Sequence, residues 1–130
     1  MSSEANKDLV RRFYREAINE RDSSACGRLL NEDFVHNGEA RGRAGQRQAV
    51  DYFLAAFSDL RNEIELILAE CELVAAHQRW RGTHDGEFLG VEATGREVEF
   101  TSTAVLRVSD GLIAQAWDEM DAAGLLQQLA

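Results

Sequence analysis

Apolar residues change their spacing about halfway along the chain, and this change constrains the fold more than any other feature. In residues 4–20, Leu9 and Phe13 lie on one stripe of an amphipathic helix. From residue 62 onward, Ile64 and Leu66 alternate with charged neighbours, which is typical of a strand. Helices followed by strands predict an α+β fold, with helices packed on the concave face of a curved antiparallel sheet and a cavity between them.

The same patterns give approximate element boundaries. Helices are predicted at 4–20, around Cys26 and at 46–58, and strands at 34–37, from 62, at 73–84, 96–108 and 112–121, followed by an apolar turn at 122–129. The Asp110-Gly111 pair predicts a tight hairpin between the last two strands. Because no repeat or linker interrupts the 130 residues, we expect a single domain spanning 1–130.

Charge and cysteine usage narrow the classes of partner. The net charge of −9 disfavours binding to nucleic acid or to an anionic membrane surface. Cys26 and Cys71 show no metal-binding spacing and are expected to be free thiols. The polar start of the chain and the lack of a long apolar run predict neither a secretory signal nor a membrane span, so we expect a cytoplasmic protein.

The last strand carries the main candidate for chemistry. Strict alternation from Ile113 places Trp117 and Asp121 on one face and Asp118 on the other. If the Trp117 face is the covered one, Asp121 lies in an apolar hollow, where desolvation favours its protonated form and suits it to proton transfer. Alternatively, Asp121 is the N-cap of the segment that follows. On this interpretation Asp118 is solvated or lies at a subunit contact.

Motifs spread over the whole chain resemble those of a known family. They are Phe13-Tyr14, Asn19-Glu-Arg-Asp22, Phe34-Val-His36, Arg79-Trp-Arg-Gly-Thr-His84, Gly86-Glu-Phe-Leu-Gly90, Asp110-Gly111, Trp117-x-x-x-Asp121 and Gly124-Leu-Leu-x-Gln-Leu129. Together they resemble the SnoaL-like polyketide cyclase family of the nuclear transport factor 2-like superfamily. The combination of the Trp-Arg-Gly-Thr-His segment with the Trp-x-x-x-Asp ending is the most specific part.

The resemblance implies a conical α+β barrel of cystatin-like topology, with a curved sheet around three N-terminal helices and one deep pocket. It implies ring closure of a small hydrophobic or aromatic carbonyl compound by an intramolecular aldol reaction or an isomerisation, without metal or cofactor. The single acid of the family matches Asp121 here. The resemblance also implies a homodimer, or a tetramer, through the outer face of the sheet.

Further site residues are predicted around this acid. His84 and His36 are candidates to polarise substrate carbonyls, although each could equally be a loop histidine with ordinary hydrogen bonds. The predicted substrate-binding walls are aromatic: Trp80, Phe88, Trp117, Tyr14, Phe34 and Phe53. An aromatic wall stacks on a flat substrate, but the same residues, Tyr14 and Trp117 in particular, could be ordinary core.

Two other kinds of site receive little support from the sequence. His36, His84 and Asp121 are residue types that form metal triads, yet no two of them are two or four positions apart, the spacings that place two ligands on one face of a strand or helix. Three arginines lie within or just after the glycine-rich segment 38–45, namely Arg41, Arg43 and Arg47. The segment lacks a phosphate-loop pattern, so a solvated loop is favoured.

Two alternatives to a cyclase stay open. One is a non-catalytic dimeric module that binds a ligand in the same pocket. The other is an enzyme similar to ketosteroid isomerases or dehydratases, which place their base just after the strand that contains Phe34. There the chain offers His36 and Glu39, so this alternative requires Glu39 as the base.

Overall fold

The computed structural model describes residues 2–130. Its helices are α1 (Ser3–Tyr14), continued by a π-helical turn (Arg15–Asn19), α2 (Ala25–Leu29), α3 (Gly42–Ala56) and α4 (Ala122–Leu129). Its strands are β1 (Leu30–His36), β2 (Arg61–Glu70), β3 (Leu73–Thr83), β4 (Glu97–Ser109) and β5 (Leu112–Met120). In residues 2–130, no helix combines the length and the apolar character that crossing a bilayer requires.

The strands form one five-stranded sheet in the order β1-β5-β4-β3-β2. Strands β2 to β5 pair antiparallel, whereas β1 runs parallel to β5 at one edge. The α+β class and the curved sheet with helices on one face are confirmed. The sheet is open, since β1 and β2 are edge strands with no pairing between them.

The inner face of β4 shows how the sheet and the helices form a common core. Alternate residues of this strand, from Val98 to Val108, are buried, as expected of a strand with one covered face. The helices contribute Val10, Phe13 and Ala17 to the same cluster. The space between α1, α3 and this inner face is where a cavity remains.

Two β-bulges reverse the side-chain alternation that the sequence suggests. In β5, Ile113 pairs with Val108 and Gln115 pairs with Arg107, so Ala114 is an additional residue in the ladder. A bulge of this kind shifts all later side chains to the opposite face. Ile113 therefore points inward, but from Ala116 onward the even-numbered residues do so.

The second bulge lies in β2. Ile64 pairs with Gln78 and Leu66 pairs with His77, which leaves Glu65 as the additional residue. Ile64 and Leu66, which alternation places together, consequently face opposite sides. Leu66 and Leu68 are 66% and 72% exposed on the outer face.

The second half of the segment expected to be a glycine-rich loop is the start of a helix. Asn37 and Gly38 have φ values of 48° and 80° and form a two-residue turn that is closed by reciprocal backbone hydrogen bonds between His36 and Glu39. Asparagine followed by glycine suits such a turn because both positions need positive φ. The chain therefore reverses at once, and α3 begins at Gly42.

Candidate active site

A pocket of about 390 Å³ lies between the helices and the inner face of the sheet. Its buried walls are apolar and come from α1, α3, β1, β4 and β5, among them Phe13, Leu30, Phe34, Val50, Phe100, Leu106 and Ile113. The exposed residues Asn37 and Tyr52 mark its mouth, where α3 approaches the end of β1. A pocket of this size with apolar walls and few polar groups is typical of a small-molecule site.

His36 and Asp118 are the titratable pair inside this pocket. Their side chains are 16% and 26% exposed, and His36 Nε2 lies 3.9 Å from Asp118 Oδ2, too far for a hydrogen bond. Asp118 Oδ1 and His36 Nδ1 are buried without a hydrogen-bond partner in residues 2–130. Buried polar atoms are normally satisfied, so both of these pocket-lining side chains have unused hydrogen-bonding capacity.

Asn37 fixes the backbone that carries Asp118. Its Oδ1 accepts from the Asp118 N–H at 2.7 Å, and its Nδ2 donates to the Asp118 carbonyl at 3.0 Å. Its own N–H donates to the Ala116 carbonyl at 2.9 Å. The amide of Asn37 therefore extends the parallel ladder from β1 to β5 and holds the ends of both strands, with His36 and Asp118, in one arrangement.

Aromatic rings form one wall of the pocket. Trp80 lies parallel to Phe100 with ring centroids 5.9 Å apart, and Tyr14 meets Trp80 edge-on at 6.0 Å. The indole Nε1 donates to Ser102 Oγ at 2.9 Å, so the polar edge of Trp80 is satisfied and its orientation is fixed. Such a wall offers a flat, rigid surface to a planar ligand.

The Tyr14 hydroxyl stays protonated at this wall. Burial raises the pKa of Tyr14 well above its ordinary value, and the nearby Asp118 charge raises it further. Tyr14 is therefore a hydrogen-bond donor rather than a base.

The structure corrects the placement of Asp121 and Trp117. Asp121 is exposed, lies outside the pocket lining and caps α4 by accepting from the Gly124 N–H at 2.9 Å. Trp117 is 37% exposed on the outer face, under the guanidinium of Arg107 at 5.4 Å. The physical reason is the bulge at Ala114, which turns Asp118 inward instead.

His84 and Phe88 also lie outside the pocket lining. His84 is fully buried and accepts at Nδ1 from the Thr94 N–H at 3.1 Å, so it holds the connection between β3 and β4. Phe88 packs against Phe53 and Phe57, each at a centroid distance of 5.3 Å. Phe88 therefore packs behind the pocket wall, and neither residue lines the pocket.

The other predicted site residues do lie at the pocket: His36, Tyr14, Phe34, Phe53 and Trp80. Sequence reasoning placed Asp118 on the wrong face and did not single out Asn37. The Asn37-Gly38 pair was an available signal for a tight turn beside the next strand. No local signal marks the bulge that redirects Asp118.

The remaining candidates are dispersed. Glu39 is the base that an enzyme similar to ketosteroid isomerases would need. Its side chain is 71% exposed and is not part of the pocket lining. Arg43 and Arg47 donate to the Leu30 carbonyl and to Ser23 Oγ, whereas Arg41 reaches the pocket. No three His, Cys, Asp or Glu residues within 2–130 are grouped so that they could hold a metal ion.

Comparison with known proteins agrees with this architecture. The family model described as SnoaL-like polyketide cyclase matches residues 8–129. Aklanonic acid methyl ester cyclase DnrD from Streptomyces peucetius is 30% identical, over 94% of this chain and 88% of its own. TsrD from Streptomyces laurentii has a TM-score of 0.92 at 30% identity, covering 100% of this chain and 98% of its own. IdmH from Streptomyces antibioticus has a TM-score of 0.84 at 32% identity, covering 95% and 97%.

The match therefore extends over nearly the whole chain, in sequence and in fold. The protein belongs to the SnoaL-like polyketide cyclase family.

Proposed function

We propose that the protein is a polyketide cyclase that closes a ring of an aromatic polyketide by an intramolecular aldol reaction, with Asp118 as the general acid and base. The observation that carries this proposal is the position of Asp118, which lines the apolar pocket beside His36 and has a buried carboxylate oxygen without a hydrogen-bond partner in residues 2–130. The family and the names of its relatives support the class of reaction.

The reaction needs one proton to be removed and then returned. The Asp118 carboxylate takes the acidic proton from a carbon next to a carbonyl, and the resulting enolate carbon attacks a second carbonyl carbon of the same molecule. The new C–C bond leaves an alkoxide, which takes the proton back from Asp118. One carboxyl group can serve as base and acid in turn, and the product is an isomer of the substrate.

His36 and Tyr14 stabilise the negative charge that develops on oxygen. Both face the same pocket as Asp118, and Tyr14 remains a donor because burial raises its pKa. Donors that are already oriented toward a developing oxyanion lower the barrier without reorganisation. The stacked Trp80 and Phe100 rings hold the flat body of the substrate against the sheet.

The direct test is turnover of aklanonic acid methyl ester, the compound for which two relatives are named, and of its free acid. Chromatography with mass spectrometry should show a product of unchanged mass, and in D₂O the substrate should gain deuterium at the reacting carbon. Deuterium uptake without cyclisation would point to an isomerase. Tight binding with neither change would favour the non-catalytic ligand-binding module.

We also propose that the protein is a homodimer through the outer sheet face. Three large apolar side chains, Leu66, Leu68 and Trp117, are exposed on that face, and exposed apolar groups of this size are typical of an interface. Light scattering after gel filtration should give twice the 14.5 kDa chain mass. Leu68→Glu should yield the monomer, whereas a monomeric wild-type protein would contradict the proposal.

A further inference from the structure

Ser102 is a polar residue on the inner face of β4 that the proposed chemistry does not use. It is 3% exposed and lines the pocket. By strand register its neighbours are Gln78 on β3 and Met120 on β5. A buried hydroxyl group normally has hydrogen-bond partners, so the partners of Ser102 indicate what the pocket can bind at this point.

The Ser102 oxygen accepts one hydrogen bond, from Trp80 Nε1 at 2.9 Å. An indole N–H is a donor only, so this contact uses a lone pair of the hydroxyl oxygen and leaves the hydroxyl hydrogen free. In residues 2–130 no acceptor for that hydrogen occurs. Because the indole N–H already points at the oxygen, the hydroxyl hydrogen must point away from Trp80.

The neighbouring side chains offer little to this hydrogen. Gln78 Oε1 already accepts from Asn62 Nδ2 at 2.7 Å, and Met120 has only a thioether sulfur, which is a weak acceptor. A buried donor without an acceptor costs free energy. Since Ser102 is part of the pocket lining, an oxygen atom of a molecule bound in the pocket would satisfy this donor.

The strand register also places Ser102 near the proposed general base. Ser102 pairs with Met120, and Ala104 pairs with Asp118, so Ser102 and Asp118 are diagonal neighbours on two adjacent strands. Both line the same pocket. Diagonal neighbours in an antiparallel pair have Cα atoms about 7–8 Å apart. A molecule the size of a fused ring system can therefore contact both side chains at once.

We propose that the Ser102 hydroxyl donates a hydrogen bond to a carbonyl oxygen of the bound substrate and determines specificity. The substrate class is then a fused ring compound with an acceptor oxygen on the edge that lies at Ser102. This inference rests on the proposed function, because it concerns the occupant of the same pocket. The bond at Ser102 stops the ring from sliding along the wall formed by Trp80 and Phe100, so the reacting carbon stays beside Asp118.

Binding of a matched pair of probes tests the site without turnover. The ketone α-tetralone and the hydrocarbon tetralin share a fused bicyclic body and differ at one carbon, which is a carbonyl in the first and a CH₂ group in the second. The indole N–H signal of Trp80 in proton–nitrogen correlation NMR should follow the binding of both. Because the chain has two tryptophans, Trp117→Phe identifies that signal.

Ser102→Ala should weaken α-tetralone binding about fivefold, as expected for the loss of one hydrogen bond, and should change tetralin binding less than about twofold. Ser102→Thr keeps the hydroxyl and should restore the ketone affinity, which separates the role of the hydroxyl from a displacement of Trp80. The matched control is Thr103→Val, which removes the next hydroxyl along β4, one that contacts His77 instead. It should leave both dissociation constants unchanged.

Unchanged ketone affinity in Ser102→Ala, an equal loss for both probes, or no recovery in Ser102→Thr would each overturn the Ser102 site. A wild-type protein that binds neither probe would overturn it as well. Turnover separates this inference from the proposed function. If cyclisation depends on Asp118 but ketone affinity does not depend on Ser102, only the Ser102 site is wrong. If ketone affinity depends on Ser102 but no cyclisation occurs, the Ser102 site is supported and the cyclase is wrong.

Discussion

Asp118 and Asp121 are three residues apart at the end of β5, and their surroundings differ completely. Asp118 lines an apolar pocket, and one of its carboxylate oxygens is buried without a hydrogen-bond partner in residues 2–130. Asp121 is exposed, and its carboxylate accepts a hydrogen bond from the first turn of α4. The difference comes from one additional residue, Ala114, earlier in the same strand. The chemistry of a carboxylate in this fold is thus decided by strand register rather than by its sequence motif.

Turnover should separate the two carboxylates most clearly. Asp118→Asn removes the proton acceptor while keeping the shape of the side chain, and should lower kcat by about 10²–10⁴. Asp121→Asn should change kcat by less than about twofold, because asparagine is an equally good N-cap. Steady-state kinetics with a cyclised substrate measures both. A larger loss with Asp121→Asn would reverse the assignment.

The positioning role of Asn37 is the second test. Asn37→Gly removes both hydrogen bonds to the Asp118 backbone and keeps the positive φ of the turn. The carboxylate should lose its fixed position, so we expect kcat to fall about tenfold with a smaller change in KM.

Asn37→Asp is the matched variant, since it retains the acceptor for the Asp118 N–H and loses the donor. It should fall between Asn37→Gly and wild type in hydrogen exchange of the Asp118 amide. Wild-type kcat in Asn37→Gly would show that the ladder itself suffices to hold Asp118.

Removing the capping carboxylate of Asp121 should change the stability of the protein and not its turnover. Asp121→Ala removes the acceptor for the Gly124 N–H and should lower the free energy of unfolding by about 1 kcal/mol, measured by urea denaturation. Its kcat should equal that of wild type at temperatures where it is folded. A loss of activity without a loss of stability would contradict the assignment of Asp121 as a cap.

A smaller effect on stability is expected from two carboxylates near the end of β3, Asp59 and Asp85. Backbone and hydroxyl hydrogen bonds from Thr83 lower the pKa of Asp59, and hydroxyl and backbone hydrogen bonds from Ser58 lower that of Asp85. Their stabilisation is complete above the ordinary value of 3.8 and is lost as pH falls through the lower folded values.

Both side chains are exposed, so we expect less than about 1 kcal/mol from the pair. Thermal melts of the Asp59→Asn, Asp85→Asn double variant should show a smaller fall in Tm between about pH 6 and about pH 3 than wild type. An identical fall would mean that other carboxylates determine acid stability.

Local patterns in the sequence predicted the elements and the α+β class, but not the parallel pairing of β1 with β5 or the open sheet. Helical spacing around Leu9 and Phe13, alternation in β4 and the Asp110-Gly111 turn each predict an element that the structure contains. These signals are local, because each arises within one helix turn, one strand or one hairpin. The order of helices and strands then determines the α+β class.

The site was only partly predictable because two of its determinants are non-local. The bulge at Ala114 depends on how β5 pairs with Arg107 and Val108 of β4, and alternation within β5 alone gives the opposite face. The division of the inner face between pocket and core depends on how Phe57 and Phe88 pack, which places His84 in the core. Neither feature has a signature in the segment that it controls.

The most direct measurement is a crystal structure of the protein with a planar polycyclic carbonyl ligand bound. We predict that the ring lies between Trp80 and the mouth of the pocket, with a carbon next to a carbonyl within about 3.5 Å of an Asp118 oxygen and Asp121 still capping α4. A ligand bound on the outer face beside Trp117, or an Asp118 side chain turned to solvent, would contradict it.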